Sequence, residues 1–282
     1  SGVLGIALIF LLASWGALGT MPTFEELENP ETNLATEVIS IDGETLGKYF
    51  KENRTPINYE DLPDHLVNAL VSTEDERFYS HSGIDARGTL RAAIYLGSKG
   101  GASTITQQLS KLLFTDPNKS GTFNRIIQKV KEWVIAVRLE EQYAKNEIIT
   151  MYLNKFDFLY QAVGIRSASR IYFSKEPIEL TIEESATLVA MLKNPIHYNP
   201  VKDQFKKNSI ERRNQVLKQM EKNGFLTTVV KDSLQELPLG TYFSPEQHDD
   251  GIATYFRAYV QEFMKDWIDD NPKPDGSSYS MY

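Results

Sequence analysis

What most restricts the fold of this chain is a helical rhythm of apolar residues that starts after Pro56 and runs nearly to the end. Segments near 63–77, 86–97, 104–114, 122–142, 146–154, 181–193, 205–222 and 252–269 repeat apolar residues at the 3.6-residue spacing that one face of an amphipathic helix buries. Thr181 followed by Glu184 has capping-box spacing. Only EVISIDGETLGKYF, residues 37–50, alternates instead; its Asp42-Gly43 pair signals a β-hairpin. The fold class is mainly α, and 282 residues suffice for one large or two small domains with a core.

The two ends differ from this middle. GVLGIALIFLLASWGALG, residues 2–19, carries no charge over 18 residues, near the lower limit for a helical membrane span. A transmembrane anchor over 1–21 is expected, then a polar linker and hairpin over 22–60. At the other end DDNPKPDGSSYSMY reads as a linker, so 241–282 is expected to lead towards a further domain.

Composition excludes some chemistry. There is no cysteine, which rules out disulfide frameworks and thiolate metal sites. Four histidines without HExxH pairing give no zinc site, and no metal ligands are expected. Between Asp85 and Lys131 eight basic residues face two acidic ones, a local +6 in a chain of net charge −8, which leaves −14 elsewhere. A cationic island in an acidic protein points to a local anionic ligand and away from nucleic acid.

TEDERFY, residues 73–79, sets three carboxylates in a row. Pro63 is placed to begin a helix whose Leu66, Val67, Leu70 and Val71 form one apolar face. One further turn brings Glu74 and Asp75 onto that stripe and rotates Glu76 off it. A partly desolvated carboxylate holds its proton more readily and moves towards the range of a general base. The alternative is a helix end whose acids are merely neutralised by Arg77.

KGGASTITQQLSK, residues 99–111, places two glycines before a helix start, with Thr104 and Gln107 at capping spacing. Free N–H groups there favour an anion, although a plain turn and cap would look the same. Ile105, Leu109, Leu112 and Leu113 form the apolar stripe, while Thr104, Gln108 and Lys111 share another face. In the next helix Arg125, Lys129 and Glu132 lie at i, i+4 and i+7, either as a surface ion ladder or as charges turned into a cleft.

Taken in order, EDERFYSHSGID (74–85), GGASTITQQLSK (100–111), KVKEW (129–133), NEIITMYLN (146–154) and ESATLVAMLKNPIHYNP (184–200) with RRN (212–214) resemble the five motifs of the peptidoglycan glycosyltransferase module of class A penicillin-binding proteins. The resemblance implies a lysozyme-like helical domain over 61–240, with a membrane-dipping jaw near 86–122. It implies polymerisation of lipid II into β-1,4-linked glycan with loss of undecaprenyl diphosphate. Glu74 would be the base and Glu132 a second catalytic carboxylate near the diphosphate. Asp75, Arg77, Ser103, Thr104, Gln107, Gln108, Lys111, Arg125 and Lys129 would bind substrate. No tightly bound cofactor is implied, and a divalent cation such as Mg²⁺ at the diphosphate is left open. Partners would be lipid II, the growing strand, membrane lipid and other cell-wall synthesis or division proteins. The domain would stand on the outer face of a bacterial cytoplasmic membrane, where moenomycin binds its relatives.

Two departures stand out. Gln128 precedes Lys129 where relatives often carry arginine, and no Ser-x-x-Lys occurs, so a penicillin-binding half is absent from this chain. The rival readings are a lysozyme-like lytic transglycosylase and a non-catalytic membrane scaffold. Apolar residues at Leu90 to Leu96 and Leu112 to Phe114 would touch lipid, or belong to an ordinary core.

Overall fold

A computed structural model describes residues 36–43, 45–49, 53–54, 56–94, 103–114, 122–244, 254–273 and 279. The apolar run at 2–19, the linker at 22–35 and the glycines of the Gly100-Gly101 turn lie outside these residues, as does most of the C-terminal tail. No helix among the described residues is long and apolar enough to cross a membrane.

Strands β1 (Thr36–Ile39) and β2 (Thr45–Tyr49) pair antiparallel, with an irregularity at Val38/Ile39. Two-residue strands β3 (Asn53–Arg54) and β4 (Ala162–Val163) pair in parallel and tie the entry of the helical domain to its middle. The other described elements are helical, so the protein is mainly α as its periodicity implies.

Helix α1 (Asp64–Glu74) starts behind Pro63 and buries Leu66, Ala69 and Leu70 completely. Its predicted extension to residue 77 does not form: Asp75 has φ −159° and ψ 74°, which ends the helix at Glu74. After α2 (Ala86–Ile94) come α3 (Ile105–Phe114), the long α4 (Thr122–Gln142) and α5 (Lys145–Lys155). Leu90 of α2 is exposed, whereas Leu112, Leu113 and Phe114 lean against the core.

Helices α6 (Ile165–Phe173) and α9 (Thr228–Glu236) were not expected from periodicity, being only nine residues each. Helix α7 (Ile182–Leu192) is capped by the Thr181–Glu184 box, with Thr181 N–H donating to Glu184 Oε2 at 2.9 Å. It is buried on every side from Glu184 to Leu192, which is why its sequence is small and apolar all round. Helices α8 (Asp203–Lys222) and α10 (Thr254–Asp270) complete the described set.

Helix α1 packs on α7 and α8, while α3 packs on α4 and α5. The C-terminal end of α1 therefore emerges at the seam between these two groups. Gly83 lets the following loop press against α4: at φ +85° an added Cβ would lie 2.7 Å from the Ala136 carbonyl oxygen.

Candidate active site

The break after Glu74 sends the three consecutive carboxylates three ways. Asp75 turns into the protein, where it is 7% exposed. Its Oδ2 accepts the Ile105 N–H at 3.1 Å, and His81 Nε2 lies 3.0 Å from both oxygens. Thr104 Oγ1 accepts the Gln107 N–H at 3.1 Å. Asp75 and Thr104 thus satisfy two of the free donors at the start of α3 and fasten that helix to the end of α1. Glu76 turns the opposite way, accepting from Lys222 Nζ and from Arg77 Nη1, both at 2.8 Å.

Glu74 remains at the seam, with its side chain 14% exposed. Its Oε2 accepts Gln108 Nε2 at 2.9 Å, and its Oε1 lies 3.6 Å from Arg212 Nη2. Gln108 Oε1 in turn accepts the Tyr152 hydroxyl at 2.8 Å. One carboxylate oxygen thus faces an amide and the other a guanidinium, while the group still borders open space.

That space is a cleft of about 590 Å³. Residues Ser72 to Arg77 form one wall, with Asp85, Gly88 and Arg91 beside them. Ser103, Thr104 and Gln108 contribute from the start of α3, and Lys193 from the end of α7. The far wall is a face of α8 made by Arg212, Gln215, Gln219 and Lys222. Five of the lining residues are basic and four acidic, and the acids are largely engaged: Arg77 pairs with Asp85 as well as Glu76. The hydrogen bond from Lys222 is the main reason the Glu76 carboxyl falls below its ordinary value of 4.5. Asp85 is also lowered: burial acts to raise it, and the bond from Arg77 with the surrounding charges outweighs that.

The predicted residues divide into three groups. Glu74, Asp75, Arg77, Ser103, Thr104 and Gln108 line the cleft. Lys129 and Glu132 stand behind them, because Lys129 Nζ donates to Ser103 Oγ at 2.9 Å and to Glu132 Oε2 at 2.8 Å, with Glu132 buried. Gln107 is buried with its amide 3.4 Å from the Gly83 carbonyl, and Lys111 and Arg125 are exposed; these three do not line the cleft. The capping box expected of Thr104 and Gln107 is half formed, since the Gln107 side chain goes to Gly83.

Arg212, Tyr152, His81 and Lys193 were not singled out from the sequence, although each lies in or beside a quoted motif. For Arg212 a signal existed in the polar stripe Arg212, Gln215, Gln219 and Lys222, at i, i+3, i+7 and i+10 on α8. Among the described residues no three His, Cys, Asp or Glu side chains gather into a metal-holding group.

A carboxylate screened from bulk water at the edge of a polar, cation-flanked cleft has the setting of a general base, and comparison with known proteins gives the family. The transglycosylase family model matches residues 42–221, and the chain belongs to that family. It is 32% identical over 267 residues to penicillin-binding protein 1A of Escherichia coli (strain K12), covering 93% of this chain and 30% of that protein. Penicillin-binding protein 1F of Bacillus subtilis (strain 168) is 33% identical, with 81% and 32% covered. The crystal structure of penicillin-binding protein 1A from Haemophilus influenzae aligns with a TM-score of 0.44 at 18% identity, covering 88% of this chain and 26% of that one. This chain therefore spans about a third of the length of these relatives.

Proposed function

We propose that the chain is a peptidoglycan glycosyltransferase that extends glycan strands from lipid II, with Glu74 as general base. The observation that carries this reading is the Glu74 carboxylate at the cleft, held by Gln108 at 2.9 Å and Arg212 at 3.6 Å. The ionised group accepts the proton of the acceptor sugar's 4-hydroxyl as that oxygen attacks the donor's anomeric carbon. The bond from that carbon to the diphosphate oxygen breaks, the diphosphate leaves with the electron pair, and configuration inverts from α to β.

A glycosidase must protonate an alkoxide leaving group and so uses a second carboxyl as acid. Diphosphate leaves as a stable anion, so one base suffices and the remaining need is positive charge beside the phosphates. Lys129, held by buried Glu132 and reaching the cleft through Ser103, supplies a fixed ammonium for this role. Arg77 and Arg91 add charge on the same side. With Gln128 in place of a cation, the exposed Lys111 and Arg125 meet the diphosphate only if the lipid-linked substrate reaches beyond the cleft. The cleft carboxylates are engaged by Gln108, Ile105, Lys222 and Arg77, so the chain's own cations serve the diphosphate in this reading.

The lysozyme-like arrangement, a jaw at 86–122 dipping into the membrane with Leu90 as an exposed apolar contact, placement outside a bacterial cytoplasmic membrane, and contacts with other cell-wall proteins complete the proposal. Incubating the protein with lipid II and, separately, with finished glycan tests it. Polymer from lipid II is the expected result; fragments released from finished glycan would identify a lytic enzyme, and neither product a scaffold.

A further inference from the structure

We infer that Tyr152 is a positioning residue for Glu74, acting through the Gln108 amide; the inference builds on the glycosyltransferase reading above. Tyr152 belongs to α5, Gln108 to α3 and Glu74 to α1, so the chain of contacts crosses three helices. A carboxylate only accepts hydrogen bonds, so Gln108 must present its NH₂ to Glu74 and its carbonyl to Tyr152. The distances agree, at 2.9 Å from Gln108 Nε2 to Glu74 Oε2 and 2.8 Å from the Tyr152 hydroxyl to Gln108 Oε1.

Gln108 is only partly buried and its side chain has several rotatable bonds, so contact with Glu74 alone leaves it free to swing into the cleft. Tyr152 removes that freedom. Its ring is fully buried, and it packs on Phe156 with centroids 6.1 Å apart. Burial, reinforced by the Glu74 charge, pushes its phenol well above the ordinary tyrosine range, so the hydroxyl keeps its proton and stays a donor. A carbonyl that accepts a hydrogen bond also makes the N–H of the same amide a better donor.

The other charges near Glu74 leave this contact distinct. Arg212 of α8 faces the opposite carboxylate oxygen at 3.6 Å. Lys193, beyond α7, borders the same cleft. Asp75 is turned away to Ile105 and His81, and Glu76 to Lys222 and Arg77. On the α3 side, then, Gln108 holds the base, and Tyr152 holds Gln108.

The test is Tyr152→Phe, which removes one oxygen from the contact. Gln108 then loses the donor that holds its carbonyl, and its contact with Glu74 loosens. kcat should fall about tenfold, with KM changed less than about twofold. Gln108→Met should lower kcat at least as far, and adding Tyr152→Phe to it should lower kcat no further. A purely structural tyrosine would lower thermal stability and leave kcat in place; that outcome, or independent effects in the double variant, overturns the inference. If Tyr152→Phe does not fold, 3-fluorotyrosine at 152, a stronger donor of similar volume, must slow hydrogen exchange of the Gln108 side-chain amide, and unchanged exchange overturns the inference. Hydrogen exchange of the Gln108 side-chain amide needs no substrate: it is expected to quicken in Tyr152→Phe. Unchanged exchange would refute the contact chain, whereas failure of the wild type to polymerise lipid II would refute only the choice of reaction.

Discussion

The carboxylate of Glu74 and the guanidinium of Arg212 meet at 3.6 Å across the packing of α1 on α8. Arg212 Nη1 is fixed by Gln215 Oε1 at 2.8 Å, and its guanidinium lies 6.0 Å from the centre of the Tyr198 ring. One helix thus supplies the carboxylate and another the cation that faces it, at a point where both are screened from bulk water.

Glu74→Gln keeps the size of the side chain and removes its basicity. Polymerisation of lipid II should fall at least about a hundredfold, with the thermal transition little changed. Arg212→Gln should lower kcat/KM about tenfold, a smaller loss, because it leaves the base in place. Near-normal turnover in Glu74→Gln would show that the base is misassigned.

Glu132→Gln leaves Lys129 without its buried counter-charge. If the ammonium serves the diphosphate, kcat/KM should drop about tenfold or more while the fold survives. A variant that loses only thermal stability would make the pair an ordinary helix-face contact.

Arg213, next to the cleft-lining Arg212, is wholly buried. It donates to the carbonyls of Gln235, Leu237 and Pro238 at 2.8–3.0 Å and so closes the C-terminal end of α9. Arg213→Ala strands those carbonyls and should remove about 3–5 kcal/mol from the unfolding free energy measured in denaturant. Arg213→Lys should recover part of it.

The Glu76–Lys222 pair gives a pH signature. The folded Glu76 carboxyl lies below 4.5, first because of the Lys222 hydrogen bond, against the opposing effect of partial burial. Its stabilisation is therefore complete above 4.5 and disappears as pH falls through the lowered folded value. Both side chains are partly exposed, so Lys222→Met should reduce stability near neutrality by only about 0.5 kcal/mol. The gap between variant and wild type should close as the solution is acidified; a gap independent of pH would mean that packing, not charge, is responsible.

Leu159, Tyr160 and Gln161 occupy positive φ at 69°, 51° and 64°, where side chains crowd the backbone. Gln161 is exposed, so glycine there relieves strain without removing a contact. Gln161→Gly should raise stability by about 0.5 kcal/mol in denaturant unfolding, since relief of the left-handed conformation exceeds the added unfolded-state freedom.

Periodicity located most of the long helices because burial of one helical face repeats along the chain itself. It missed α6 and α9, where nine residues give barely two turns of pattern, and it carried α1 past Glu74 because periodicity contains no stop signal. The same limit applies in the site. Three carboxylates in a row were legible, and helical rotation separated Glu76 from Glu74. The burial of Asp75 agrees with its place on the apolar stripe, but the helix break that turns it inward and the Ile105 N–H that it meets were not legible. Arg125, Lys129 and Glu132 share one spacing, yet Glu132 is buried, its carbonyl accepting Ser110 of α3 at 3.0 Å, and Arg125 is exposed.

The sequence alone determined a mainly helical protein, the position of Glu74 at the end of an apolar stripe, and the order of motifs that places the chain in its family. These are local properties, written in the spacing of neighbours. Tertiary structure decided which groups gather about Glu74: Gln108, with Tyr152 behind it, and Arg212 arrive from three helices whose relative placement is set by the packing of their buried faces. Hydrogen bonds and ion pairs act over a few ångströms, so their partners are fixed only when the core closes.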